Sequence, residues 1–468
     1  MMTARQPRIG LVPFYLKLYD DLMPARRAGF QPFLERVVAE LTGRGLDVTC
    51  APVCRIASEF GEAMSRLENQ VDLVITLHLA YSPSLEALDV FRKSRLPLLL
   101  LDTTPHADFG MDVPADRIML NHGVHGVMDF ASMLNRVRRP FEIVAGSVDA
   151  PATFDRAAGM ARAAAAVQRF RGMKTLRIGQ AFRGMGDFSV DPAVLLASFN
   201  LSVDEIGMEA LDQAAAAVAD GEVDDEIRRD RQRFDCQLDE ATHRDATRVG
   251  LGLRRLVADG GYGAFSVNFQ SFDRPDRPAC AMPFLEISKS MARGLGYGGE
   301  GDVLTAALVA ALSHGFGAAS FTEIFCADWS GDTLFLSHMG EINPALAQGR
   351  PHVFAKKAFD TRSRDTAALT FAARPGPATF VNLTPGPDDT FTLVSAPVEI
   401  LAENADRLDP AMRDTVRVWI RPRQPVARFL EAYSRAGGTH HSALVPGADA
   451  ASVAAFGRML GIGSVALE

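Results

Sequence analysis

Residues 96–102 read LPLLLLD, five leucines and a proline before the first charge. A strand with one wet face alternates apolar and polar residues. A run that is apolar at every position suits a parallel strand covered on both faces by helices. The stretch VDLVITLHL (71–79) has the same character, and LEALDVFRKS (85–94) between the two carries helical spacing. Toward the N-terminus, IGLVPF (9–14) reads as a buried strand. An amphipathic stretch follows over 30–44, then DVTCAPV (47–53) as a further strand. This β-α-β alternation predicts a doubly wound parallel sheet.

In the other direction the Ala-rich stretch 154–172 predicts a helix, and KTLRIGQAF (174–182) starts a second α/β unit. Residues 208–259 have helical period and interspersed charges, which reads as solvated helix faces without chemistry. Beyond about 325 the pattern changes to short strand-like runs (DTLFLSHMGEI, ATFVNLTP, FTLVSAPVEIL, VRVWIRP) broken by Pro, Gly and Asp. The expected architecture is two Rossmann-like α/β domains, 1–170 and 171–325, followed by a mostly β, barrel-like domain at 326–468. A chain of 468 residues exceeds what one hydrophobic core supports, in keeping with several domains.

Composition excludes several classes. Hydrophobic residues make up 47% and charged residues 23%, as in an ordinary globular protein. The net charge of −8 and the lack of any basic run argue against a nucleic-acid partner. Five cysteines without a CxxC pair suit a reducing compartment, with Cys50 and Cys54 expected as ordinary buried thiols. The chain has no apolar run long enough for a signal core or a membrane span, so no membrane partner and a cytoplasmic location are expected.

GLGYGGEGDVLTAALVAAL (294–312) packs glycines and one carboxylate ahead of a well-formed helix. Gly294, Gly296 and Gly299 satisfy G-x-G-x-x-G, which raises a nicotinamide-dependent oxidoreductase as one alternative. A dinucleotide fingerprint follows a strand, however, and PFLEISKSMAR ahead of it has helical composition. The other reading has the glycines turning the chain tightly before a helix that starts near Gly301, with Glu300 at its positive end. Glu323 lies in the apolar run AASFTEIFCADW, where an ionised carboxylate requires a partner. His338 in TLFLSHMGEI has a similar setting, and His441 follows the Gly-Gly turn of AGGTHHSALV. Two carboxylates and two imidazoles form a donor set suited to a divalent ion of the Mn²⁺ type.

Five motif blocks resemble the L-arabinose isomerase branch of the arabinose/fucose isomerase superfamily. LHLAYSP (77–83) is similar to the family's His-Thr-Phe-Ser-Pro element, and NHGVHGVMDF (121–130) to its Asn-Gln-Thr-Ala-His-Gly-Gly-Arg-Glu-Phe segment. GYGGEGDVLTAAL with FTEIF, then SHMGEINP, then AGGTHH complete the series. The resemblance implies an aldose–ketose isomerase that acts on a free sugar through a cis-enediol. It implies Mn²⁺, with Co²⁺ or Mg²⁺ possible, held by Glu300, Glu323, His338 and His441, with Glu300 and Glu323 moving the proton. His440 is then the substrate-side neighbour of the ligand. His125 matches a histidine that reaches the site across a subunit interface, which implies a homo-oligomer, a hexamer or a trimer-type assembly, with shared active sites.

The pattern breaks where the family contacts its sugar. Leu16, in FYLKLYD, stands at the position of a glutamine, Phe325 at that of a tyrosine, and Phe182 at that of a methionine. Loss of hydrogen-bonding groups changes specificity more readily than reaction type, so a less polar aldose than L-arabinose is expected. A non-catalytic sugar-binding protein on two α/β domains is the reading from another class.

Overall fold

A computed structural model describes residues 5–358 and 362–468. The described residues divide into two compact units, one of 5–168 with 458–461, the other of 169–457 with 462–468.

The first unit holds a five-stranded parallel sheet in the order Asp47–Cys50, Arg8–Phe14, Leu73–His78, Leu98–Asp102, Glu142–Ala145. Leu98 to Leu101 are all buried. Successive side chains point to opposite faces, so both faces of this strand are covered, as the leucine run predicts. Helices Gln31–Thr42, Ala57–Leu67, Ser84–Lys93 and Gly123–Arg136 supply the crossovers. Of the two thiols expected to be buried, Cys54 is buried and Cys50 is exposed. Cys50 ends an edge strand with no sheet neighbour on its far side.

In the second unit a parallel sheet runs in the order Gly296–Gly299, Ala264–Val267, Lys174–Ile178, Ser202–Ile206. The glycine-rich segment is therefore an extended edge strand rather than a tight turn. Glycine serves close approach here: a Cβ at Gly296 would lie 1.9 Å from the Ala306 carbonyl oxygen. The helix Val303–Phe316 thus packs directly on the strand backbone. That helix is apolar on every side and almost wholly buried.

The C-terminal strands close a ring. Gly376–Pro385, His441–Pro446, Ser320–Asp328, Thr333–Ser337, Val418–Pro422 and Phe391–Ile400 pair in turn, and the last pairs back to the first. Gly463–Ala466 adds a parallel strand to Phe391–Ile400. Inward residues such as Leu334, Leu336, Phe380, Val394, Ile420 and Leu444 form the core. The expected α/β class with a barrel-like β-rich end is the observed one.

The charged stretch 208–259 departs from expectation. Its helices Asp220–Arg233 and Glu240–Asp259 do expose most charges, but Glu226, Asp230 and His243 are buried. Lys289 of the helix Phe284–Ala292 donates to Glu226 at 2.7 Å and to Asp230 at 2.9 Å. Arg254 bonds Glu226 at 2.5 Å and Glu286 at 2.7 Å. This is a self-neutralised ion cluster between helices.

Candidate metal centre

Four pieces of backbone bring the predicted donors together. The first is the turn that leaves the strand Gly296–Gly299. Glu300 takes the left-handed conformation at φ 59°, which costs a non-glycine residue about 1–2 kcal/mol. The surroundings hold it there. Its carbonyl accepts from the Phe182 amide at 2.9 Å, and the Gly301 amide donates to Ser266 Oγ at 2.9 Å. The helix cap that follows is Asp302, whose Oδ1 accepts from the Thr305 amide at 2.9 Å. Glu300 is thus free of capping and turned toward the barrel strands of its own unit.

Register supplies the rest. Glu323 stands directly opposite His441 on one neighbouring strand and opposite Ser337, the residue before His338, on the other. Side chains directly across a ladder lie within contact of each other. His338 Nε2 is 3.8 Å from Glu323 Oε2, and His441 Nε2 is 3.8 Å from Glu300 Oε2. Donor atoms of Glu323, His338 and His441 fall within 4.8 Å of one another, and so do those of Glu300, His440 and His441.

Both histidines are oriented from behind. His338 Nδ1 bonds Glu341 Oε1 at 2.8 Å, and His441 Nδ1 bonds Asp302 Oδ2 at 3.1 Å. Both carboxylates are buried. Each therefore presents Nε2 to the cluster, in the carboxylate–histidine arrangement common behind metal ligands. Glu341 is itself fixed by the Gly340 amide at 2.7 Å and by the Tyr297 hydroxyl. Phe188 stacks on His441 with ring centroids 4.6 Å apart, and Phe321 meets both imidazoles edge-on.

What the cluster lacks among the described residues is a lysine or arginine bonded to its donor atoms. Glu300 Oε2 and His441 Nε2 are buried without a hydrogen-bond partner. Buried polar atoms are nearly always partnered, so two such atoms 3.8 Å apart fit a site for a divalent ion. Burial raises the Glu323 carboxyl above its ordinary value, with the three nearby histidines opposing. His440 brings positive charge to the edge of the cluster, 3.9 Å from Glu300 Oε2. Burial opposes its protonation, but Glu300 and Asp187 outweigh it and lift the imidazole to about 9. Asp187 holds His440 Nδ1 at 2.6 Å.

Phe182 adjoins Glu300 through its amide and packs its ring on Phe269 at 5.7 Å. Phe325 lies two residues beyond Glu323, is 48% exposed, and lines a pocket of about 350 Å³ together with His338, Phe269 and Met339. Leu16 and His125 belong to the other unit. Leu16 precedes the helix Lys17–Leu22, and His125 is exposed on the helix Gly123–Arg136, stacked on Tyr81 at 4.7 Å. Sequence reasoning passed over Asp302, Glu341 and Asp187. Asp302 and Glu341 stand inside the quoted motifs, two and three residues from Glu300 and His338, so a signal was present. Asp187 lies in a loop with no local sign of its partner.

Fold and site together define an α/β protein with a carboxylate–imidazole centre where a parallel sheet meets a closed barrel within one unit. The description of the L-arabinose isomerase central domain matches residues 174–315, and that of the L-arabinose isomerase C-terminal domain matches 318–463. A protein named L-arabinose isomerase from Nocardioides sp. is 30% identical over 395 residues, covering 80% of this chain and 76% of the relative. One of the same name from Acidothermus cellulolyticus is 28% identical over 414 residues, covering 85% and 80%. Another from Aeromonas salmonicida is 26% identical over 454 residues, covering 92% and 86%. The chain belongs to the L-arabinose isomerase family. Among the described residues, no helix is long and apolar enough to cross a membrane.

Proposed function

We propose that the protein is a divalent-metal-dependent aldose–ketose isomerase. Glu300, Glu323, His338 and His441 would hold the ion, with Mn²⁺ the first choice and Co²⁺ or Mg²⁺ alternatives. The observation that carries this reading is the pair of unpartnered buried donors, Glu300 Oε2 and His441 Nε2, beside imidazoles oriented by buried carboxylates. The family membership supplies the reaction class.

Interconversion moves one proton between C1 and C2 of the sugar by way of a cis-enediol. A bound divalent ion would stabilise the charge that develops on the sugar oxygens. Glu323 accepts or returns the carbon-bound proton. Glu300, fixed by its strained turn, serves as the partner on the other side. Asp302 and Glu341 keep the two imidazoles in one tautomer, so the donors are arranged before substrate enters. Phe182 stands in place of a methionine and Phe325 in place of a tyrosine, and loss of the tyrosine hydroxyl disfavours standard L-arabinose as the substrate. His125 would complete the site from a neighbouring subunit of a homo-oligomer.

The glycine spacing no longer favours a dinucleotide site, because Gly296 and Gly299 lie within the strand and not in a loop after it. The test is proton NMR of the Mn²⁺-loaded protein in D₂O with a panel of pentoses, hexoses and deoxy aldoses together with uronate and sugar-phosphate forms. Deuterium entering at C2 together with ketose signals is expected for at least one sugar. A metal-loaded protein that exchanges none of them contradicts the proposal.

A further inference from the structure

The pocket that shares His338 with the donor cluster has a mixed lining, in which Phe269, Phe325 and Met339 are apolar and Lys356, Lys357 and Arg364 are cationic. None of the described lining side chains is a carboxylate. The three cations are not equivalent. Lys357 is exposed and paired with Asp365 at 2.7 Å, and Arg364 is paired with Asp245 at 2.7 Å. Lys356 ends the strand His352–Lys356, is half-buried, and has neither ion pair nor hydrogen bond among the described residues. Burial pulls its ammonium below the ordinary lysine value, and Glu341, the carboxylate behind His338, acts on it through space in the opposite sense. Lysine is almost never buried without a partner, because desolvating a lone charge is costly. A half-buried cation at a cavity whose described lining carries no carboxylate is the complement of a ligand anion.

We infer that the substrate is an anionic aldose, a sugar bearing a carboxylate or a phosphate away from its reacting end, and that Lys356 binds this group. The inference rests on the isomerase reading above and names the substrate class for the same site. Lys356 would act as a specificity residue. The aromatic wall accommodates the sugar's carbon face, and the ammonium selects the charged member of each otherwise matched pair. Lys357 and Arg364, already neutralised, contribute less.

The test uses two matched pairs on the Mn²⁺-loaded full chain, D-galactose with D-galacturonate and D-ribose with D-ribose 5-phosphate. Binding is followed by titration calorimetry, and C2 exchange in D₂O is followed on the same samples. At least one anionic sugar is expected to bind about ten-fold or more tightly than its neutral counterpart, the scale of one charge-assisted hydrogen bond. Galacturonate or ribose 5-phosphate leading identifies carboxylate or phosphate as the source. Lys356→Gln should erase the preference and Lys356→Arg should keep most of it, with unchanged melting temperatures showing that both variants fold. Equal affinity within both pairs, or no binding by any of the four, overturns the inference, as does a preference that survives Lys356→Gln. Lys356-dependent binding of an anion without C2 exchange upholds the inference and refutes the isomerase reading. Exchange confined to neutral sugars does the reverse.

Discussion

Glu226, Asp230 and Glu286 are buried with Lys289 and Arg254 threaded between them, whereas Glu300, Glu323, His338 and His441 are gathered with no lysine or arginine bonded to them among the described residues. Both clusters lie in the same compact unit, and both take carboxylates out of water. The first neutralises itself. Every carboxylate in it has a cation within 3 Å, and nothing is left for a ligand to do. The second leaves a carboxylate oxygen and an imidazole nitrogen without partners. Burial of ionisable groups does not therefore mark a functional site by itself; the missing counter-charge does.

The comparison can be broken at several points. The largest effect is expected on turnover. Glu300→Gln or Glu323→Gln should keep the fold, by circular dichroism, and lower kcat by about 10²–10⁴-fold, the usual weight of a general acid or base. Near-normal kcat in either variant would remove that glutamate from proton transfer. In the self-neutralised cluster the same kind of change should act on stability instead. Lys289→Met leaves Glu226 and Asp230 short of a cation and should lower the unfolding free energy by about 3–5 kcal/mol, with Mn²⁺ affinity retained. Urea melts and a metal titration of the one variant separate the two outcomes.

The carboxylates behind the histidines come next. Asp302→Asn or Glu341→Gln should weaken Mn²⁺ binding by about 10–100-fold, since each fixes one imidazole's tautomer and direction. Unchanged metal affinity would mean that Asp302 serves the helix and Glu341 its loop alone. Asp302 carries a second duty as cap, which asparagine also fulfils, so Asp302→Asn should leave stability nearly unchanged.

The smallest effect concerns pH. Burial works against ionisation of Glu226, but Arg254 and Lys289 outweigh it and hold this carboxyl well below the glutamate range. A carboxyl lowered by folding contributes stability above its unfolded value of about 4.3 and loses it as the pH falls toward the folded value. Urea midpoints should therefore drop between pH 5 and pH 3, and drop less steeply in Lys289→Met, where the depression is partly relieved. Parallel profiles would show that the pairs add little.

How much of this was open to a reader of the sequence depended on whether the signal was local. LPLLLLD reported its own burial, because the pleat exposes alternate residues to both faces. The four donors were found through their flanking motifs, and their neighbourhood follows from strand register that no local pattern reveals. Gly296–Gly299 defied strand propensity because the reason for its glycines lies in the helix above it, at Ala306. Residues 208–259 hid Glu226 and Asp230 for a similar reason. Their buried partner Lys289 comes from another helix, and among so many surface charges two interior ones look alike. Lys356 gave no signal at all, since only the lining of the pocket shows that it lacks a counter-ion among the described residues.

The most direct test of the central claim, that the second cluster is completed by a metal ion, is equilibrium dialysis of EDTA-treated protein against Mn²⁺, read by electron paramagnetic resonance. Wild type should take up one ion per chain, and His441→Gln and Glu300→Gln should each weaken binding by at least about ten-fold while Lys289→Met does not. Absence of saturable binding, or binding indifferent to His441 and Glu300, would contradict the account.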